Sequence, residues 1–112
     1  MRYDEQEIQM MVVQYIRLKY PKILFTCAPA YAKSARQGSL NKRMGYLKGW
    51  PDIFIAYPSN GYYGLFIEFK TEKGKIQPEQ EKIKNKLSDL GYKAVICRGY
   101  DEAVFVIDNY LK

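Results

Sequence analysis

Three charged side chains stand inside short apolar segments, where a protein core does not ordinarily hold charge. Asp52 opens the segment DIFIAY, and Glu68 interrupts the segment LFIEFK, which ends with Lys70. Residues two apart on a β-strand project from the same face, so Glu68 and Lys70 share a side. Charges at the edge of an apolar core are costly unless they are paired or bound to a cation. Because carboxylate oxygens on a rigid support suit magnesium, the two acids predict a divalent-metal site.

The segment between these two runs predicts how the acids come together. The residues PSNG at 58–61 are typical of a hairpin, because Asn-Gly suits the positive backbone angles of a tight turn. The hairpin would fold Asp52 back beside Glu68. A purely structural ion pair, of Lys70 with Glu68 or Asp52, is the alternative interpretation of the same residues.

The order of these residues resembles the PD-(D/E)xK nuclease superfamily. A Gly-x-Pro-Asp sequence, GWPD, precedes the hairpin and a Glu-x-Lys sequence, EFK, closes it. With its flanking elements, the chain is similar to a small stand-alone VRR-NUC domain, the virus-type replication-repair nuclease family. The resemblance implies that Asp52, Glu68 and the backbone carbonyl of Phe69 bind one or two Mg²⁺ or Mn²⁺ ions. It also implies that Lys70 positions or activates the attacking water.

The first predicted helix, from Asp4 to Lys19, places a further acid near this site. Its apolar side chains recur at helical spacing, at Ile8, Val12, Tyr15 and Ile16. Glu5 lies on this stripe, so its carboxylate is expected to face the end of the core. In VRR-NUC domains a Glu three residues before the stripe joins the metal cluster, which implies a catalytic and metal-binding role for Glu5, with Glu7 in reserve. The alternative is an acid favoured in the first turn by the helix dipole.

A second helix is predicted to begin at Gln77-Pro78, because proline is favoured in the first helical turn. One face of this helix carries Gln80, Ile83, Leu87 and Leu90. Gln80 is thus a polar residue at the leading edge of an apolar stripe, where a glutamine is more often a hydrogen-bonded edge residue than a catalytic one. VRR-NUC domains commonly carry a Gln early in this helix, so the resemblance implies a catalytic role for Gln80. Many members have a Ser where this chain has Gln77, a difference that concerns the helix cap.

The charge distribution indicates a polyanionic partner. The chain has a net charge of +6 and a pI near 9.3. No Asp or Glu occurs from Ile8 to Pro51, and a one-sign stretch of this length departs from the mixed signs of a solvated face. We therefore expect basic residues of this stretch to contact nucleic-acid phosphates. The residues assigned to this role are Lys33, Arg36, Lys42, Arg43 and Lys48.

Other residue types exclude several classes of site. The sequence has no histidine, which removes HNH-type, Ser-His-Asp and Cys-His chemistries and zinc sites with imidazole ligands. Cys27 and Cys97 lie in predicted strands and are too few for a zinc cluster, so we expect reduced thiols in an intracellular, cytoplasmic protein. The polar N-terminus does not resemble a signal peptide, and no apolar run approaches the roughly 20 residues that span a membrane.

The remaining elements complete an α/β fold. Pro21 stops the first helix, and Gly91 is expected to cap the second. Further elements are predicted as a strand at 22–28, a short helix at 39–47 within the basic stretch 29–48, a strand at 92–97 and a helix at 101–111. The predicted order αβββαβα describes a restriction-endonuclease-like αβββαβ core with a short mixed sheet and a C-terminal helix. Residues 1–112 are expected to form one domain.

The resemblance implies a Mg²⁺-dependent endodeoxyribonuclease. Stand-alone VRR-NUC proteins resemble Holliday-junction resolvases in being homodimers that act on four-way junctions. A branched DNA is therefore the expected substrate, and a second copy of the chain is the expected partner. The family is common in phages and in DNA repair systems. Two alternatives stay open: another PD-(D/E)xK activity, such as a nickase, flap or restriction-like nuclease, and a non-catalytic nucleic-acid-binding module.

Overall fold

The computed structural model describes residues 2–28 and 34–112, which contain four helices and four strands. The helices are α1 (Glu5–Lys19), α2 (Ala35–Arg43), α3 (Pro78–Asp89) and α4 (Tyr100–Tyr110). The strands are β1 (Phe25–Cys27), β2 (Ile53–Ile55), β3 (Leu65–Lys70) and β4 (Lys93–Arg98). The predicted order is confirmed, with the short helix of the basic stretch lying between β1 and β2.

The strands form one mixed sheet in the order β1-β2-β3-β4. β1 and β3 both pair antiparallel with β2, whereas β4 runs parallel to β3 and is reached through α3. This arrangement confirms the predicted α/β fold with a short mixed sheet. Ile53 of β2 lies opposite Ile67 of β3. Asp52 precedes Ile53 and Glu68 follows Ile67, so the antiparallel pairing brings the two acids side by side.

The sheet separates two apolar clusters. One cluster joins α1 and α4 to three residues of β3: Leu65, Ile67 and Phe69. The other contains Phe66 of β3 and Leu87 of α3. Because side chains alternate along a strand, Glu68 and Lys70 lie on the same side of the sheet as Phe66.

The tight turn of the hairpin is also confirmed. Asn60 and Gly61 have positive φ angles of +54° and +84°, and Ser59 pairs with Tyr62 across them. These angles are the ones that a two-residue turn between antiparallel strands requires. The turn follows β2, so it lies at the opposite end of the hairpin from Asp52.

Three elements differ in extent from the predictions, and one of them is β2, which has three residues where the sequence predicts the run 52–57. β1 has three residues, because its partner β2 offers three residues for pairing. α2 begins at Ala35 because Ser34 caps it, and the Ser34 hydroxyl accepts a hydrogen bond from the N–H of Gln37 at 3.1 Å. It ends early because Gly45 adopts a φ of +93°, a conformation that closes a helix. The other elements lie within one residue of their predicted bounds.

Both cysteines carry free thiols, as expected. Burial raises the pKa of the Cys97 thiol to about 12, so this thiol stays protonated and unreactive near neutral pH. In the described segments, every helix is too short or too polar to cross a membrane.

A polar cluster fastens the C-terminal end of α1 to α4. Asp108 accepts hydrogen bonds from the hydroxyl groups of Tyr15 at 2.7 Å and Tyr20 at 2.6 Å, and the Lys19 ammonium lies 3.2 Å away. Partial burial alone would raise the pKa of Asp108. The hydrogen bonds from both tyrosines and from the lysine outweigh this effect and hold the pKa below its ordinary value. The folded protein therefore stabilises the charged form of Asp108.

We predict that Asp108→Asn lowers the free energy of unfolding by about 1–2 kcal/mol at neutral pH, because the hydrogen bonds lose their charged acceptor. The folded-state pKa lies below the unfolded value of about 3.9, so the contribution is present above that value and is lost as the pH falls through the folded-state pKa. Urea unfolding across this pH range measures it. Asp89→Asn, the same change on an exposed residue, is the control and should have little effect. A difference between parent and Asp108→Asn that does not shrink in acid would contradict the assignment.

Candidate active site at the ends of β2 and β3

Asp52 is fixed at the start of β2 by two main-chain contacts. Its carbonyl oxygen accepts a hydrogen bond from the N–H of Ala28 at 2.8 Å, which ties it to the end of β1. Its carboxylate Oδ2 accepts a hydrogen bond from the N–H of Phe69 at 2.7 Å. One carboxylate oxygen is therefore anchored to β3, next to Glu68.

Glu68 is held from the other side by the beginning of α3. Its side chain is buried, and its Oε2 accepts a hydrogen bond from Gln80 Nε2 at 3.0 Å. The Gln80 Oε1 in turn accepts a hydrogen bond from the N–H of Gln77 at 2.9 Å, at the N-cap of the helix. The structure thus places Gln80 against Glu68. The hydrogen bond from the N–H of Gln77 fixes the orientation of the Gln80 amide, so its Nε2 points to Glu68.

Lys70 lies on the same face as Glu68, with only 6% of its surface exposed. Its positive charge opposes the rise in pKa that burial causes at both Asp52 and Glu68, so the ammonium group interacts electrostatically with both acids. Within the described residues, however, no ion pair within 4.0 Å joins Lys70 to either acid. The structure therefore does not contain the direct ion pair between Lys70 and Asp52 or Glu68 that the alternative interpretation requires.

The charged forms of the two carboxyl groups repel each other strongly. Burial and the neighbouring Asp52 raise the pKa of Glu68 to about 9, and Lys70 only partly opposes them. Burial also raises the pKa of Asp52, although the hydrogen bond from the N–H of Phe69 opposes it. Near neutral pH and without a cation, the pair therefore keeps a proton. Two hard carboxylate donors that repel one another suit a divalent cation, which would replace this proton.

Glu5 lies in the first turn of α1 and is half-buried. Its charge contributes to the raised pKa of Glu68, so it acts on the same region. The parts of the chain that the structure describes contain no group of three His, Cys, Asp or Glu side chains close enough to hold a metal. Glu7 is engaged elsewhere, because its Oε1 accepts a hydrogen bond from the N–H of Asp4 at 3.1 Å in a capping box.

The basic residues assigned to phosphate contact lie in several places. Arg36, Lys42 and Arg43 are exposed on α2. Lys48 lies 3.8 Å from Glu79, at the start of α3. Lys33 lies outside the described residues.

The structure explains why residue 49 of the GWPD segment is a glycine. Its φ is +89°, and an added Cβ would lie 2.7 Å from the carbonyl carbon of Glu79. The segment therefore packs main chain against main chain at the start of α3, which is the helix that carries Gln80. Any other residue at this position would clash with Glu79 and would strain the main chain three residues before Asp52.

Arg98 is a residue whose contact with the site region the sequence analysis missed. It lies opposite Lys70 in the β3–β4 pair. Its Nη1 donates hydrogen bonds to the carbonyl oxygens of Thr71 and Gly74 at 2.8 Å and of Glu72 at 3.2 Å. The guanidinium group therefore fixes the loop that follows Lys70. The sequence carries no local signal for this contact, because it depends on the register of two strands that are distant in the chain.

A family profile and a solved structure both match this chain to VRR-NUC domains over nearly its whole length. The VRR-NUC domain profile matches residues 2–101. A solved structure described as a VRR_NUC domain protein has a TM-score of 0.85 and 28% sequence identity, and the match covers 99% of this chain and 90% of that chain. No curated protein matches the sequence.

We predict that Glu68→Gln stabilises the metal-free protein. The folded-state pKa of about 9 lies above the ordinary 4.5, so the folded protein binds more protons between these values and its stability falls as the pH rises through them. Glutamine cannot ionise, yet it keeps an oxygen for the Gln80 amide. We expect a gain of about 1–2 kcal/mol at the alkaline end of this range and little gain at its acidic end. Thermal unfolding in EDTA measures it, with the exposed Glu72→Gln as control; a gain that does not depend on pH would contradict the prediction.

We predict that Arg98→Ala lowers the free energy of unfolding by about 1.5–3 kcal/mol, because three carbonyl groups lose a charged donor. The N–H of Gly74, which bonds the carbonyl of Thr71 at 3.2 Å, should exchange its hydrogen faster. Urea unfolding and amide hydrogen exchange measure the two effects. Arg43→Ala, which removes an exposed arginine, is the matched control. Unchanged exchange at Gly74 would show that Arg98 does not hold this loop.

Proposed function

Because the chain belongs to the VRR-NUC domain family, a nuclease family, we propose that it is a metal-dependent, structure-specific DNA endonuclease with an activity like that of Holliday-junction resolvases. The observation that carries this proposal is the pair of half-buried Asp52 and buried Glu68, side by side, with Lys70 on the same face. A module that only binds DNA has no need of two acids, since acids repel the phosphates it must contact.

Asp52 and Glu68 would hold Mg²⁺ or Mn²⁺ with the carbonyl of Phe69, and Glu5 would join them as a ligand only by moving closer than the structure places it. When bound, the cation supplies positive charge and Lewis acidity at the scissile phosphate. The chain itself supplies orientation. The N–H of Phe69 and the amide of Gln80 each hold one carboxylate oxygen, so neither acid turns freely.

Lys70 offers a buried ammonium group that forms no ion pair with either acid in the described structure. Once a cation neutralises the acids, this charge is available to orient water or to stabilise negative charge on the phosphate. Lys70 is therefore the residue whose loss should separate catalysis from cation binding. The basic residues of the 29–48 stretch, namely Lys33, Arg36, Lys42, Arg43 and Lys48, would contact the backbone of a branched DNA. Cutting both strands of a four-way junction requires two sites, which a homodimer provides.

We predict that Asp52→Ala abolishes cleavage of a four-way junction in Mg²⁺ or Mn²⁺. Lys70→Ala should lower the rate by about 10²–10³-fold while keeping the rise in melting temperature that Mg²⁺ causes in the parent. Asp52→Ala should lose both. The measurement uses end-labelled junction and matched linear duplex, in Mg²⁺, Mn²⁺ or EDTA. The exposed Asp89→Ala and Lys86→Ala are the controls.

The outcomes separate the proposal from its alternatives. Symmetric, metal-dependent cuts on the junction alone would support a resolvase-like enzyme. Cleavage of every substrate would keep the nuclease and reject the junction preference. Equal DNA affinity in EDTA and Mg²⁺ without any cleavage would turn the assignment to a non-catalytic module. Strong cleavage by Lys70→Ala would remove this residue from the mechanism.

A further inference from the structure

Helix α2 is well formed but packs extensively against no other described element. Ser34 caps its beginning, and Gly45 closes its end with hydrogen bonds from Gly45 and Tyr46 to the last turn. None of its residues is buried, and none of the extensive contacts between described elements involves it. Leu40 and Met44 are exposed by 39% and 59%. A helix of nine residues is marginal in water by itself, since helices below about 12–15 residues depend on packing.

The apolar residues of α2 form a stripe with basic borders. Leu40 lies in the last turn of α2, and Met44, four residues on, caps the same side of the helix, whereas Leu47 lies beyond the end of the helix. Arg36 and Arg43 lie along the same stripe, and α2 has no acidic residue. A surface that covers this stripe should therefore be apolar and should have negative charge at its edge.

The sheet offers a surface of this kind. α3 covers only the β3–β4 side of the face that carries Phe66. On the β1–β2 side, an open groove of about 240 Å³ is lined by Leu24, Phe25, Thr26, Phe54 and Ala56. Leu24 is 74% exposed. An apolar groove left open beside an edge strand is a surface on which another element can pack.

The groove lies near the candidate active site along β2. Phe54 and Asp52 are two residues apart and lie on the same face of the sheet. An element that fills the groove would therefore place its ends beside Asp52 and Glu68. Arginine side chains that border an apolar stripe would then reach the region where a phosphate approaches the acids.

We propose that the occupant is α2 of a second copy of this chain, and that the two copies exchange their α2 helices across a two-fold axis. The proposal rests on the proposed function and adds that each site is completed by Arg36, Lys42 and Arg43 of the other copy. Among the described residues, one chain carries both a helix and a groove that no other element covers, so a two-fold contact satisfies both surfaces twice. The basic helix also complements the acids at the end of the groove. DNA alone would pair with the arginines but would leave Leu40, Met44 and Leu47 in water.

The interface is tested by the oligomeric state, without reference to activity. We expect the parent to be a dimer in sedimentation at micromolar concentration, and we expect Leu40→Asp and Leu24→Asp each to shift it to monomer. Phe105→Asp, on an exposed apolar residue of α4, should leave the dimer intact. A parent that is monomeric, or a dimer weakened only by Phe105→Asp, would overturn the proposed interface. This measurement stands even if the chain does not cut DNA.

Completion of the site by the other copy is tested by mixing subunits. One copy carries Asp52→Ala with an intact α2, and the other carries Arg36→Gln, Lys42→Gln and Arg43→Gln with an intact Asp52. Each homodimer should cut the junction poorly, whereas the purified heterodimer should nick one strand at about half the parent rate per dimer, because one of its two sites is complete. No recovery in the heterodimer, with an active parent, would show that α2 serves its own chain and would overturn the exchange. An inactive parent would instead reject the proposed function.

Discussion

The placement of two neighbouring carboxyl groups at the edge of the core, one buried and one half-buried, is the constraint on which the rest of the structure depends. Glu68 is 5% exposed and lies beside Asp52 across the β2–β3 pair. Charging both groups in this environment is costly, and the raised pKa of each acid expresses that cost. The fold must therefore hold the pair together against its own repulsion. The metal-free site therefore favours the binding of a proton or a cation.

β3 meets this constraint because it is buried along its whole length. Its residues facing α1 and α4 are fully buried core, and those facing α3 include Glu68 and Lys70. One strand therefore anchors the core and presents the site, so the charged groups inherit the rigidity of the core. Contacts from outside the strand complete the support: Gln80 holds Glu68, Arg98 holds the following loop, and Gly49 lets the GWPD segment approach α3.

Most of the fold could be predicted from the sequence because its signals are local. The Asn60-Gly61 turn, Pro78 in the first turn of α3 and Gly91 after it each require one conformation, and the structure confirms them. The start of α2 could not be predicted in the same way. Ser34 is a local N-cap signal, but the helix has no buried face whose periodicity would single out this serine as its start.

The residues of the candidate site likewise fall into those that local sequence signals predict and those that depend on tertiary packing. The order of Asp52, Glu68 and Lys70 is visible in the sequence, because the hairpin that brings them together is a local structure. The Asp4 to Glu7 spacing also matches a capping box, a local signal that the sequence analysis did not use when it kept Glu7 in reserve. In contrast, the contact of Gln80 with Glu68 depends on how α3 packs against β3. The grip of Arg98 depends on the parallel register of β4.

The two kinds of charge in this chain are separated by burial, and that separation has a physical consequence. The acids lie in a rigid, poorly solvated place where salt screens little, whereas the basic residues of α2 lie in water where salt screens them strongly. Recognition of a polyanion can therefore vary with conditions while the reactive centre stays constant. The apolar groove that Leu24 and Phe54 line comes within two residues of Asp52 along β2. An element that covers it completes the core and brings basic charge to the acids in a single contact, so assembly and activity would depend on the same surface.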